Sequence, residues 1–207
     1  MDDIIPVIDR LAAALGRPLP GIPAQTALAP EPFLERKPYY EAEADALKAG
    51  VLLLLLPDAG RLAVVLTKRT ESVLHHPGQI SLPGGEQHAG ESLTATALRE
   101  TSEELGCDLQ TLRVLGQLTP LYIPSSNYCV YTTVAFLSDR PRFRPQPDEV
   151  AEVIVVPVDF LLDPASLRIE SWDHKGRRLR VPFFEFRGHR IWGATAMILG
   201  EFLALLR

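Results

Sequence analysis

The chain has 207 residues, 46% of them apolar and 23% charged, which suits one globular domain with a full core. Its formal net charge of −5 gives no general attraction for nucleic acid or for an anionic membrane, so neither is expected as a partner. A polyanionic small molecule would need a local basic pocket or a bound cation. The two cysteines, Cys107 and Cys129, sit in apolar surroundings and read as reduced core thiols of a cytoplasmic protein; with five scattered histidines they offer no zinc-type spacing.

The N-terminus, MDDIIPVIDRL, is acidic and lacks the basic start of a secretory signal. Apolar residues at Ile4, Ile5, Ile8, Leu11, Ala12 and Leu15 recur at helical spacing, and Gly16 is a natural stop. Prolines at 18, 20, 23, 30, 32 and 38 then remove backbone donors, so this run reads as an extended arm over the domain or over a partner subunit, compatible with a homodimer, or as a loose leader. Glu41 to Lys48 reads as a short turn of helix. This divides the chain into an N-terminal helix and arm, 1–48, and a main domain, 49–207. Val51 to Leu56 is too short to span a bilayer; with Leu62 to Thr67 it forms a buried hairpin around Pro-Asp-Ala-Gly-Arg.

Pro83-Gly84-Gly85 predicts a tight turn where backbone approaches a ligand. Beyond it, Arg99-Glu100-Thr101-Ser102-Glu103-Glu104 precedes a Leu-Gly terminator. On a helix, Glu100, Glu103 and Glu104 stand at i, i+3 and i+4 on one face, with Ala97, Leu98, Thr101 and Leu105 mostly toward a core. Such carboxylates repel by about a few tenths of a kcal/mol per pair, which a cation would relieve; hard oxygen donors favour Mg²⁺ or Mn²⁺. A solvated acidic stripe is the plainer alternative from spacing alone.

The surrounding residues narrow that choice. Gly85, Glu91, Arg99, Glu100, Glu103, Glu104 and Gly106 match every fixed position of G-x5-E-x7-R-E-U-x-E-E-x-G-U, which resembles the Nudix hydrolase signature. Thr101 stands where that family has a bulky aliphatic residue. The resemblance implies an α/β/α sandwich with a mixed sheet and a Mg²⁺- or Mn²⁺-dependent hydrolase of a nucleoside diphosphate linked to another moiety. It also implies metal ligands at Glu100 and Glu104, Glu103 as a further ligand or water-orienting group, and the Gly85 carbonyl in the metal shell. Arg99 pairs with Glu91 in this reading and braces the loop against the helix.

A second resemblance, to coenzyme A pyrophosphatases, rests on Leu66-Thr67-Lys68-Arg69-Thr70 and on His76, Gly78, Gln79, Pro83, Gly84 and Gly85. Asp148-Glu149-Val150-Ala151-Glu152 and Ile191-Trp192-Gly193-Ala194-Thr195-Ala196 extend it. Arg69, His76 and Gln79 become candidates for substrate binding, with a structural or exposed role the alternative for His75 and His76. Leu74 replaces an arginine common in that family, which matters for a substrate bearing a 3′-phosphate. ADP-ribose or another nucleotide sugar is therefore the second substrate class, and a non-catalytic nucleotide sensor the third reading.

Further along, Leu112 to Thr119 is a strand, with Gly116 marking a bulge or close packing. Pro120 to Asn127 is a mixed loop suited to a substrate wall, where Tyr122 and Tyr128 could stack on a base or simply pack. Tyr128 to Leu137 and Val150 to Pro157 read as central strands. Glu149 or Glu152 is a candidate general base, against the alternative that they face water or pair with Arg140, Arg142 or Arg144. Asp159 to Asp163 predicts a short helical turn, Leu167 to Trp172 and Leu179 to Phe186 a basic-tipped hairpin, and Gly193 to Leu206 a terminal amphipathic helix.

Overall fold

Leu52 to Leu56, five consecutive leucines, are all buried, as a strand covered on both faces requires. Leu52, Leu54 and Leu56 join one apolar cluster, and Leu53 and Leu55 join another on the opposite side. That alternation sets three layers. The computed structural model describes residues 3–32, 42–71, 78–174 and 176–207. Among these the elements are α1 (Ile4–Leu15), α2 (Gly21–Thr26), β1 (Leu47–Asp58), β2 (Arg61–Arg69), β3 (Ile80–Ser81), β4 (Gly84–Glu86), α3 (Leu93–Leu105), β5 (Arg113–Gln117) and β6 (Leu121–Ile123). They continue as β7 (Tyr128–Phe136), β8 (Val150–Pro157), α4 (Val158–Leu162), β9 (Leu167–His174), β10 (Arg177–Phe186), β11 (His189–Trp192) and α5 (Gly193–Ala204).

The main sheet runs β3-β2-β1-β7-β5, with β4 also on β1, β6 on β7 and β8 on β2. Only β1 and β7 run parallel, from Leu47↔Tyr128 to Leu55↔Phe136, so the sheet is mixed. One cluster packs α3 (Ala97, Leu105) on Leu52, Leu54, Leu56, Ala63 and Val65. The other packs α1 (Ile8, Leu11) and α5 (Met197, Phe202) on Leu53, Leu55, Val64 and Leu66. The fold is the expected α/β/α sandwich, and the β9-β10-β11 sheet is a smaller antiparallel unit beside it.

The predicted hairpin forms as β1 and β2 around Ala59 and Gly60, both with positive φ, the mirror-image turn that suits twisted antiparallel strands. Gly116 marks the expected bulge on β5, and a Cβ there would stand 2.9 Å from Leu15 Cβ of α1. Three expectations change. The proline-rich stretch is not wholly extended: Pro23 lies in the first turn of α2, where a missing donor costs no hydrogen bond. Residues 42–46 form a turn rather than a helix before β1 begins at Leu47. The 120–127 loop contains β6, and β11 precedes the last helix; both strands are only a few residues long, and each pairs with its chain neighbour in a hairpin, β6 with β7 and β11 with β10.

Thr101 carries a physical consequence of its own. Its side chain is buried on the core stripe of α3, and its hydroxyl has no hydrogen-bond partner. Thr101→Val keeps the shape and removes that unsatisfied group, so it is expected to stabilise the fold by about 1 kcal/mol. Urea denaturation reads this directly, and a loss of stability would contradict the burial argument.

Candidate active site

Ser92 opens α3 by accepting the Ala95 N–H at 3.2 Å, and Gly106 closes it in the left-handed conformation at φ 54°. The glutamate-bearing turn therefore lies in the last half of a well-capped helix. Against it runs the Pro83-Gly84-Gly85 segment. A Cβ on Gly84 would collide with the Gly50 carbonyl, and one on Gly85 would collide with the Glu100 carboxylate. Gly84, at φ 146° against the β1 backbone, admits no side chain, whereas at Gly85 a side chain would displace the Glu100 carboxylate. The Gly84 N–H then donates to Glu104 Oε2 at 3.2 Å.

Arg99 is the hub of the exposed side. Its Nε donates to Glu91 Oε1 at 2.7 Å and its Nη2 to Glu91 Oε2 at 3.1 Å, the bidentate pairing expected from sequence. Nη1 reaches Glu100 Oε1 at 2.6 Å and Glu103 Oε2 at 3.2 Å, and Nη2 also reaches the Glu86 carbonyl at 3.3 Å. Glu91 additionally accepts from Thr96 Oγ1 and His88 N. The Arg99 hydrogen bond is the main reason the Glu91 carboxyl falls to about 2, and Glu91 in turn raises the Arg99 guanidinium. Glu100 and Glu103 thus share one arginine with Glu91, a partner for the acidic face that spacing alone did not assign, and three carboxylates around one guanidinium leave the face net negative.

Glu104 stands apart. It is 4% exposed, while the Glu103 side chain is 62% exposed. Burial pushes its carboxyl up to about 7; the Gly84 N–H and the charge of Arg69 oppose that rise, and Glu149 and Glu100 add to it. Arg69, Glu100, Glu104 and Glu149, from β2, α3 and the residue before β8, therefore meet electrostatically around one buried oxygen pair. The Glu149 carbonyl accepts the Thr70 N–H at 3.0 Å, which ties that residue to the end of β2. Glu152 is elsewhere: it is the cross-strand partner of Lys68 and sits 3.3 Å from His189 Nε2. Of the two candidate bases, Glu149 is the one whose charge is felt at Glu104.

Among the described residues no three acidic, histidine or cysteine side chains already converge as a preformed metal cage. The donor set nonetheless fits a hard divalent cation: Glu100 lies against the Gly85 backbone, and Glu104 is a buried carboxylate whose acidic neighbours disfavour its charge. Of the other candidates, Gln79 accepts the Arg69 N–H through its carbonyl at 3.0 Å and helps line a separate hollow of about 350 Å³ with Lys68, His189 and Trp192. Tyr122 is 3% exposed and donates to Asn127 Oδ1 at 3.1 Å, so packing rather than an open stacking face describes it. Tyr128 donates to Glu86 Oε2 at 2.6 Å, beside Gly85. His75, His76 and Leu74 fall outside the described residues. Glu86, which links Tyr128 to Arg99, was not legible in advance, since it occupies a variable place in the signature.

A mixed-sheet α/β/α sandwich with these glutamates on a capped helix behind a Gly-Gly turn defines a pyrophosphate-cleaving hydrolase scaffold. A family model described as NUDIX domain matches residues 46–175, and the chain belongs to the Nudix hydrolase family. It is 36% identical over 139 residues to the Nudix hydrolase NudL of Photorhabdus laumondii, covering 67% of this chain and 74% of that protein. It is 35% identical over 166 residues to the human mitochondrial coenzyme A diphosphatase NUDT8, covering 76% and 69%. To the mouse peroxisomal coenzyme A diphosphatase NUDT7 it is 33% identical over 141 residues, covering 68% and 59%. Among the described residues no helix is long and apolar enough to cross a membrane.

Proposed function

We propose that this protein hydrolyses the pyrophosphate of coenzyme A or its derivatives, giving 3′,5′-ADP and 4′-phosphopantetheine, with Mg²⁺ or Mn²⁺ as cofactor. The observation that carries the reading is Glu104, a buried carboxylate set against the Gly84-Gly85 turn and surrounded by Glu100 and Glu149. The coenzyme A diphosphatase names of two relatives at 33–35% identity support the choice of substrate.

In this reading Glu100 and Glu104, with Glu103 and the Gly85 carbonyl, hold the cation. When bound it neutralises the pyrophosphate oxygens and lowers the pKa of an attacking water. Glu149, exposed and with its charge felt at Glu104, takes the proton from that water as general base. Arg69 places a positive charge beside Glu104, where it orients a phosphate oxygen. Arg99 touches no reacting atom; it fixes the rotamers of Glu100 and Glu103 and holds the loop through Glu91. Tyr128 lines the substrate side through Glu86, and Gln79 and His76 complete the binding set, with Gln79 acting through its backbone contact to Arg69.

Purified protein with Mg²⁺ is expected to convert coenzyme A to 3′,5′-ADP and 4′-phosphopantetheine, resolved by chromatography. Preferential cleavage of ADP-ribose would move the assignment to a nucleotide-sugar hydrolase, as the Leu74 difference allows. Absence of cleavage of coenzyme A, ADP-ribose and dinucleoside polyphosphates alike would leave a nucleotide sensor.

A further inference from the structure

Far from the glutamate helix lies a second buried carboxylate that the reaction does not use. Glu201, in the last turn of α5, is 0% exposed. Its Oε1 accepts the Gly21 N–H at 3.0 Å and the Thr119 hydroxyl at 2.6 Å. Its Oε2 accepts Gln25 Nε2 at 2.7 Å, and the Thr119 N–H lies 3.2 Å from Oε2 and 3.3 Å from Oε1. Gln25, itself buried, also donates to the Thr119 carbonyl at 2.7 Å. No lysine, arginine or histidine pairs with Glu201 among the described residues, so neutral donors alone compensate this charge. Such a network holds only when every donor is in place.

The knot joins three segments: α2 from the N-terminal region, α5 from the C-terminal region, and Thr119, both of whose backbone groups it consumes. Thr119 is where the chain enters the 120–127 stretch. The far end of that stretch is fixed at the other side: Tyr122 donates to Asn127, the Leu47 N–H donates to the Asn127 carbonyl at 2.9 Å, and Tyr128 donates to Glu86 beside Gly85. One end of this stretch is thus pinned at the glutamate site and the other at Glu201.

We propose that Glu201 is a positioning residue: with Gln25 and Thr119 it sets the wall formed by residues 120–127 at the correct distance from the glutamates. Substrate affinity then depends on residues 21–25, which lie outside the matched family region. The inference rests on the hydrolase reading for its kinetic part only. Thr119→Val removes the hydroxyl bond to Glu201 and keeps the backbone ones, whereas Thr119→Ser keeps all of them. Glu201→Gln turns one acceptor oxygen into a donor that faces other donors.

The test measures kcat and KM on coenzyme A together with amide exchange along the full chain. Thr119→Val and Glu201→Gln are expected to raise KM about fivefold with kcat unchanged. Exchange across 120–127 should quicken about tenfold while α3 stays protected, and Thr119→Ser should restore both. Unchanged KM in Thr119→Val, with or without faster exchange in 120–127, overturns the proposal, as does exchange that quickens evenly over the whole chain. If the wild-type protein cleaves no diphosphate, the hydrolase reading fails, and exchange in 120–127 still decides whether Glu201 positions that wall.

Discussion

Glu104→Gln is expected to abolish hydrolysis and, in chelator at pH 8.5, to make the protein more stable than wild type by roughly 3 kcal/mol. The sign follows from burial. The folded-state carboxyl titrates at about 7 against an ordinary 4.5. Below 4.5 it is neutral folded and unfolded, and its burial carries no electrostatic penalty. As pH rises through 7 the folded protein must ionise a nearly inaccessible group, and the stability present in acid is lost. Glutamine stays neutral throughout and can still accept the Gly84 N–H, so the two proteins should be equally stable at pH 4 and diverge between 4.5 and 7. Adding Mg²⁺ or Mn²⁺ should raise the melting temperature of wild type more than that of the variant, because the variant lacks one of the ionised carboxylates that hold the cation. Equal melting temperatures at pH 8.5 without metal, or turnover retained in the variant, would each be incompatible with the assigned role.

The same residue shows where sequence reasoning stops. Spacing placed Glu100, Glu103 and Glu104 on one helical face, and a 3.6-residue repeat does set them within one turn. Yet Glu104 is also three residues from Thr101 and seven from Ala97, both buried, which turns it inward while Glu103 points to solvent. A helical wheel contains both relations; only packing against β1 and β4 decides between them. Long apolar runs were legible because burial on two faces leaves a strong signature: β2, β7 and β8 fall close to their expected limits, while β1 begins four residues before and ends two residues after the apolar run Val51 to Leu56. The short strands β3, β4, β6 and β11 were not, because two to four residues carry no period: β3 and β4 owe their conformation to distant partners, and β6 and β11 to the longer strand beside each in a hairpin. The helix ending at Gly16 was legible, but the proline run after it was misjudged for a related reason. Its prolines forbid long regular structure but not one helical turn, and the Glu201 knot that fixes α2 lies about 180 residues away in sequence. The role of Arg99 was legible through Glu91, eight residues earlier, while its hold on Glu100 and Glu103 depended on rotamers that no spacing reports.

Arg99→Lys is expected to lower kcat by about 10- to 100-fold, the usual cost of losing a group that orients metal ligands, although charge is conserved. Four acceptors converge on one guanidinium: both oxygens of Glu91, one each from Glu100 and Glu103, with the Glu86 carbonyl as a fifth contact. A lysine ammonium has three protons and no planar fork, so it can hold Glu91 or the helix acids but not both in register. The loop from Gly85 to Glu91 would then move independently of α3, and the Gly85 carbonyl with it. Because Glu91 titrates near 2, its pairing persists throughout the working range, so the variant should lose activity equally at pH 6 and pH 9 rather than shift the pH profile. Removing the same contact from the other side gives the cross-check. Glu91→Gln, which keeps one acceptor oxygen, should lie between wild type and Arg99→Lys. The double variant should be no worse than Arg99→Lys alone, since both substitutions break one bridge. Additive losses in that cycle would mean that Arg99 acts on the reacting groups themselves and not through the loop it secures.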